Sequence, residues 1–376
     1  MKATRAPLAT ALIIVATLLS QLARPAISYV ALVMSDGPAP SPVEATMRAI
    51  LAAGGRCALS QSSVPVPRAG ELLLRVAYSA INRADTLQRG GKYPPPPGAS
   101  PVLGLEAAGV VVAHGEGVAA GALPVGARAM ALLSGGGNAE YVAFPSAHAL
   151  PVPASLSLRE AAAVPEVFLT AFQLLFLVAH ARKGESVIVH AAGSGVGTAA
   201  VQLAAARGLH VVAVAGADAK LARCRELGAA AVVNYKTSPD WSVEAKAATL
   251  GGRGADVILD PVGASFWKAN ADAIALDGRW VLFGSLGGTV VEGPLFAKLM
   301  QKRVQLLAST LRTRSDAYKA ELVAAFAAEA LPLIADGRAK PVIDREFLLE
   351  DAQLAHEYME TDANIGKILL KVGGEV

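Results

Sequence analysis

Residues 187–204 read VIVHAAGSGVGTAAVQLA. Ser186 to His190 is a short apolar run, as expected of a strand covered on both faces. A turn of small residues follows, Ala191-Ala192-Gly193-Ser194-Gly195-Val196-Gly197, and Thr198 to Arg207 then reads as a helix ending near Gly208. Such a turn offers free backbone N–H groups at a helix head and a chain bare enough for a pyrophosphate to approach. With Gly197 as the last glycine of a dinucleotide fingerprint, Ala192 and Ser194 stand where the first two glycines belong, so the pattern alone is loose. Its surroundings strengthen it. His210 to Ala215 is the next strand, and Asp218 to Leu227 a helix with Gly228 at its end, where positive φ is often needed. Ala230 to Asn234, Asp256 to Asp260 and Arg279 to Phe283 are further strands. This alternation predicts an α/β fold with a doubly wound parallel sheet.

The second strand ends at Val214-Ala215-Gly216-Ala217-Asp218. An acid here holds the ribose 2′-hydroxyl in NAD sites. Asp218 has a competing use as the N-cap of the helix that follows, and Lys220 can reach a phosphate. We assign Asp218 to the cap and Lys220 to a 2′-phosphate, which selects NADPH.

Upstream, from Met47 to about Pro165, short strands and turns prevail. Glu71 to Ala80, Val110 to His114, Arg128 to Leu133 and Glu140 to Phe144 read as strands, and Asn82 to Arg89 as the one helical stretch. Tyr93 precedes four prolines, Pro94 to Pro97, which stiffen the path either as a surface loop or as a wall holding Tyr93 beside a cleft.

The charge balance, 34 basic against 31 acidic residues for a net +3, gives no basic excess for strong nucleic-acid binding. Two cysteines, Cys57 and Cys224, support neither a disulfide framework nor a four-thiolate zinc site. His114, His148, His180, His190, His210 and His356 form no cluster with them at metal-ligand spacing. No Gly-x-Ser-x-Gly elbow or Walker loop is present. Met1 to Ser35 carries no Asp or Glu, only Lys2, Arg5 and Arg24. Its apolar stretch Leu8 to Leu19 is shorter than the roughly 20 residues of a membrane span. An organelle presequence, a secretory signal or anchor, and an extension upstream of a start at Met34 or Met47 all remain open; residues 36–46 read as a Pro-rich linker.

AINRADTLQRGGKYPPPPGASPVLGLEAAG (80–109), VPEVFLTAFQLLF (164–176) and VIVHAAGSGVGTAAVQLA (187–204) resemble the quinone oxidoreductase branch of the medium-chain dehydrogenase/reductases, as do GAAAVVNYK (228–236), ALDGRWVLFGSLGG (275–288) and NIGKILL (364–370). The resemblance runs from Met47 to about Val372. It implies a GroES-like β-barrel catalytic domain over 47–167, completed by 310–376, and a Rossmann domain over 168–309. Leu105 then stands where zinc-dependent relatives carry a histidine, which implies a zinc-independent enzyme with no metal ligands. NADPH would contact Gly193, Ser194, Gly195, Val196 and Gly197, with Lys220 and Tyr235 at the 2′-phosphate. Thr170, Gly284, Ser285, Leu286 and Asn364 would complete the cofactor site. Asn82 and Tyr93 would line the acceptor pocket, with Asp85 either touching substrate or bracing the loop. The implied reaction is hydride transfer from NADPH to a quinone or conjugated carbonyl, with water as the proton source because no general acid stands out. An enoyl or alkenal reductase on the same fold is the near alternative, and a low-turnover NADPH-binding redox sensor or RNA-binding regulator the distant one. A homodimer, no membrane span in the folded part, and a cytoplasmic or organellar location complete the expectations.

Overall fold

The computed structural model describes residues 46–373. The targeting and linker readings for the N-terminal segment lie outside the described residues. β1 (Thr46–Ala53) and β2 (Arg56–Ser63) pair as an antiparallel hairpin, turned by Gly54 and Gly55 at φ 55° and 76°. β3 (Glu71–Ile81), β4 (Glu106–His114), β5 (Arg128–Leu132), β6 (Tyr141–Pro145) and β7 (Ala149–Pro151) follow. They join two strands from the far end of the chain, β14 (Ile343–Leu348) and β15 (Lys367–Lys371), in one seven-stranded sheet. Its order is β14-β15-β3-β4-β5-β7, with β6 also on β3. β15 runs antiparallel to β3 with Ile368 opposite Ile81, so the C-terminal strand is pinned to the end of β3 from which the 82–89 segment leaves. Leu72, Leu74, Val76, Ile368 and Leu370 interlock beneath this sheet.

The second sheet uses β8 (Ser186–Val189), β9 (His210–Ala215), β10 (Ala231–Asn234), β11 (Ala255–Asp260), β12 (Ile274–Leu282) and β13 (Gln305–Ala308). All pair in parallel in the order β10-β9-β8-β11-β12-β13. The chain winds outward from β8 to β10 and returns to β11 on the other side of β8. The crevice at the carboxyl ends of strands flanking such a reversal is where ligands bind in these sheets. The helix Pro165–Phe172 packs between the two sheets, with Phe172 edge-on to Phe326 at 5.8 Å. Pro165 at its first position costs nothing there, since that N–H has no helical partner.

Two local readings needed correction. The helix after the small-residue turn starts at Gly195, not Thr198, because Ser194 caps it: the Gly197 N–H donates to Ser194 Oγ at 3.0 Å. Asp218 is not a cap. Ala217 holds that position and Asp218 is the first helical residue, its Oδ1 accepting from Asn234 Nδ2 at 2.7 Å.

Candidate functional site: a cleft at a glycine turn beside a buried ion pair

The turn after β8 is strained and crowded. Ala191 sits at φ 47°, a left-handed conformation uncommon for a residue with a Cβ. A Cβ on Gly197 would come 2.4 Å from the Ala191 carbonyl oxygen, and one on Gly195 2.8 Å from Lys367 Cδ and 2.9 Å from Val167 Cγ1. A Cβ on Gly193 would strike the Lys220 side chain at 2.8 Å. The turn is thus closed to side chains and open to a ligand oxygen, as a pyrophosphate cradle must be.

A cleft of about 530 Å³ starts at this turn. Gly193, Ser194, Gly195 and Val196 line it together with Asn82, Lys367 and Asn364, the last segment being joined to the turn by the Gly366 N–H donating to the Gly193 carbonyl at 2.8 Å. Lys220, Tyr235 and Lys236 lie at the end near Gly216, and Leu286 also borders the cleft. A Cβ on Gly216 would come 2.9 Å from both the Lys236 and Tyr235 side chains, so these two close over bare backbone. The Tyr235 ring is edge-on to Phe266 at 5.2 Å. Lys220 Nζ donates to the Asp362 carbonyl, and burial lowers its pKa. Lys236 escaped the sequence reading; its place beside Tyr235 at the end of β10 was the available signal.

Other expected site residues stand outside the set that borders the cleft. Gly197 is packed beneath the turn, against Ala191 and Ala192. Thr170 is half-buried on the Pro165–Phe172 helix. Gly284 packs on Pro261, where a Cβ would meet its carbonyl oxygen at 2.7 Å, and Ser285 follows it. Asp85 is fully buried and acts as a brace: its carboxylate accepts from the backbone N–H of Asn82 at 2.7 Å and of Gly104 at 3.1 Å. Burial pushes its pKa up to about 6, against the pull of those two hydrogen bonds. Tyr93 is half-buried beside Arg312, whose guanidinium lies 5.3 Å from its ring centroid. Arg312 itself is fixed by Gln88 Oε1 at 2.7 Å and the Ser134 carbonyl at 3.0 Å.

Behind Asn82 and Lys367 lies a knot of charge. Lys367 and Glu106 pair at 2.7 Å with side-chain exposures of 3% and 0%. Lys367 Nζ also donates to the Ile81 carbonyl and to Asn82 Oδ1, both at 2.7 Å. Asn82 Nδ2 donates to Glu106 Oε1 at 2.9 Å, and Glu106 Oε2 accepts from the Glu166 N–H at 2.9 Å. Each charged group in this knot has partners, the condition under which burying charge is tolerable. Asn82 was expected here; Glu106, Glu166 and Lys367 were not given roles, although a Glu between Leu105 and Ala107 in an apolar strand is an anomaly that asks for a partner. Burial, then the neighbouring Glu106, push the Glu166 pKa up to about 8. Both thiols are pushed up by burial, Cys57 to about 12 and Cys224 to about 11, so neither is a nucleophile at neutral pH. Among the described residues no three His, Cys, Asp or Glu side chains group as metal ligands.

Two family models match this architecture: the alcohol dehydrogenase GroES-like domain over residues 68–154 and zinc-binding dehydrogenase over residues 195–328. The human synaptic vesicle membrane protein VAT-1 homolog is 32% identical over 328 residues, spanning 83% of this chain and 81% of that protein. Rat quinone oxidoreductase is 30% identical over 309 residues, 82% of this chain and 91% of that one. A mycobacterial structure complexed with NADPH superposes with a TM-score of 0.77 at 28% identity, covering 87% of this chain and all of the other. The chain belongs to the medium-chain dehydrogenase/reductase superfamily, in its quinone oxidoreductase branch. It is accordingly an oxidoreductase. Among the described residues no helix is long and apolar enough to cross a membrane.

Proposed function

We propose that this protein is a zinc-independent reductase passing hydride from NADPH to quinone-like or conjugated carbonyl acceptors. The observation that carries the reading is a cleft lined by a glycine-rich turn at a helix head, with two lysines at one end and the buried Lys367–Asn82 contact on its lining. The nicotinamide would supply the hydride. Gly195 and Val196 would hold the pyrophosphate by backbone N–H groups, beside Ser194, whose own N–H is spent on the Ala191 carbonyl. Lys220, Lys236 and Tyr235 would hold the 2′-phosphate, with Asp218 already engaged by Asn234. To do so Lys220 must leave the Asp362 carbonyl. Asn82, locked by Lys367 and Glu106, would present a rigid edge that orients the acceptor, the part of catalysis that proximity supplies.

Zinc independence rests on residue chemistry. Leu105 is buried and has no lone pair to offer, and Glu106 is already neutralised by the Lys367 ammonium. A relative named quinone oxidoreductase and a structural neighbour solved with NADPH support the cofactor and acceptor class. We extend the proposal to the 47–167, 168–309 and 310–376 division and to a homodimer. The exposed Leu306 on edge strand β13, with Phe296 and Met300 exposed on the preceding helix Leu295–Lys302, supplies an apolar edge suited to a second copy.

The test is cofactor consumption by purified protein over a panel of ortho- and para-quinones, enones and aldehydes. Turnover with quinones, preference for NADPH over NADH and persistence after chelation are expected. Tight NADPH binding without consumption of any acceptor would instead favour the sensor reading. Size-exclusion chromatography with light scattering reports the dimer.

A further inference from the structure

Hydride transfer leaves the reduced acceptor one proton short, and sequence reading left that proton to water. Next to the cleft, one residue before Val167, stands a group suited to supply it. Glu166 opens the Pro165–Phe172 helix, its N–H fixed by Glu106 Oε2 at 2.9 Å, and its chain neighbour Val167 borders the cleft beside Gly195. The Glu166 side chain is half-buried, and among the described residues its carboxyl has neither a hydrogen bond nor an ion pair. Every other acid around it is committed: Glu106 to Lys367 and Asn82, Asp85 to two backbone N–H groups.

We propose that Glu166 is the proton donor to the reduced acceptor, a role that rests on the reductase reading above. The acceptor takes hydride, two electrons and one proton, from the dihydronicotinamide and becomes a hydroquinone monoanion. The O–H bond of the Glu166 carboxyl then breaks and an O–H bond forms on the phenolate oxygen. Oxidised nicotinamide and neutral hydroquinone leave, and water reprotonates the carboxylate. The surroundings suit both states. Facing Glu166 are Glu106 and Asp85, which disfavour its charge, and Lys367 and Lys319, which favour it. Arg312 and Tyr93 also lie within electrostatic reach of it. Burial and Glu106 together outweigh the cations, so the carboxyl carries its proton at neutral pH, with a value of about 8 near the optimum for a general acid. Lys319, held at Ser134 Oγ at 2.7 Å, stands ready to stabilise the carboxylate left behind.

The test compares wild type with Glu166→Gln and Glu166→Asp. Infrared spectra of the cofactor-free proteins should show a protonated-carboxyl band at neutral pH that fades above about pH 8 and is missing in Glu166→Gln. NADPH affinity, read by fluorescence titration, should stay within about twofold, while kcat for quinones should fall about 100-fold in Glu166→Gln. Glu166→Asp should recover part of it. Wild-type kcat should decline above about pH 8, and the Glu166→Gln profile should be flat there. An infrared band unchanged by Glu166→Gln, or a Glu166→Gln enzyme with wild-type kcat and pH profile, overturns the assignment and leaves the reductase reading intact. Wild-type protein that binds NADPH but reduces no acceptor sinks the reductase reading, and the donor role with it.

Discussion

The glycine turn and the polar knot beside it are built in opposite ways. The glycine turn, residues 191–197, is seven consecutive residues with almost no side chains, and its chemistry is backbone geometry. The knot joins three side chains, Asn82, Glu106 and Lys367, and the backbone N–H of Glu166, drawn from segments far apart in the chain and held at 2.7–2.9 Å. The first fails by crowding, the second by loss of a partner. Binding of a cofactor should therefore be most sensitive to added volume on one side, and folding to removed charge on the other.

The largest effect should come from Lys367→Met, which leaves Glu106 buried and uncompensated. We expect a loss of about 3–5 kcal/mol in urea denaturation. The double variant Glu106→Gln/Lys367→Met should regain most of it, because a neutral pair removes the orphan charge. Equal losses in single and double variants would show that volume, not charge, governs this knot. Next is Gly197→Val: with the added Cβ at 2.4 Å from the Ala191 oxygen, the turn must open, and NADPH affinity should drop by about 100-fold, or about 2.7 kcal/mol. Unchanged NADPH affinity in a folded Gly197→Val protein would break the cradle assignment.

Third comes pH. The Glu166 pKa is raised in the folded state, to about 8 from an ordinary value of 4.5. The folded chain therefore binds more protons in that window, and the stability this contributes is complete below about pH 4.5 and lost as pH rises toward 8. Glu166→Gln should flatten that slope, gaining on the order of 2 kcal/mol over wild type at alkaline pH once the group's partial exposure is discounted. Guanidinium melts across pH check it. The smallest effect separates cofactors. Lys220→Ala should weaken NADPH by about tenfold, about 1.4 kcal/mol, and leave NADH unaffected; competitive titration of both nucleotides tests it.

The contrast between turn and knot also explains what the sequence made legible. A strand, a small-residue turn and a helix lie in one window, so the glycine turn and the parallel sheet are visible by inspection; only the helix start was late, since the capping role of Ser194 was not read. Asp218 misled because a cap and a first-turn acid look alike in sequence. The charged knot depends on β15 closing on β3, which no local window reports. Its traces are single anomalies: Glu106 among apolar neighbours, and Lys319 on the same helical face as Leu322, Val323 and Phe326. Tyr93 and Asp85 were noticed as polar groups near the right place, but their partners, Arg312 and the Gly104 N–H, lie well along the chain.

The Lys367 ammonium reaches the Ile81 carbonyl across 286 residues of chain. During translation, β3 and β4 leave the ribosome long before that ammonium exists. Until it arrives, Glu106 has no counter-charge, and the seven-stranded sheet lacks the strand that lies beside β3. The barrel half is consequently made first and finished last, and a chaperone that shields an unpaired β3 edge would find its client in this interval.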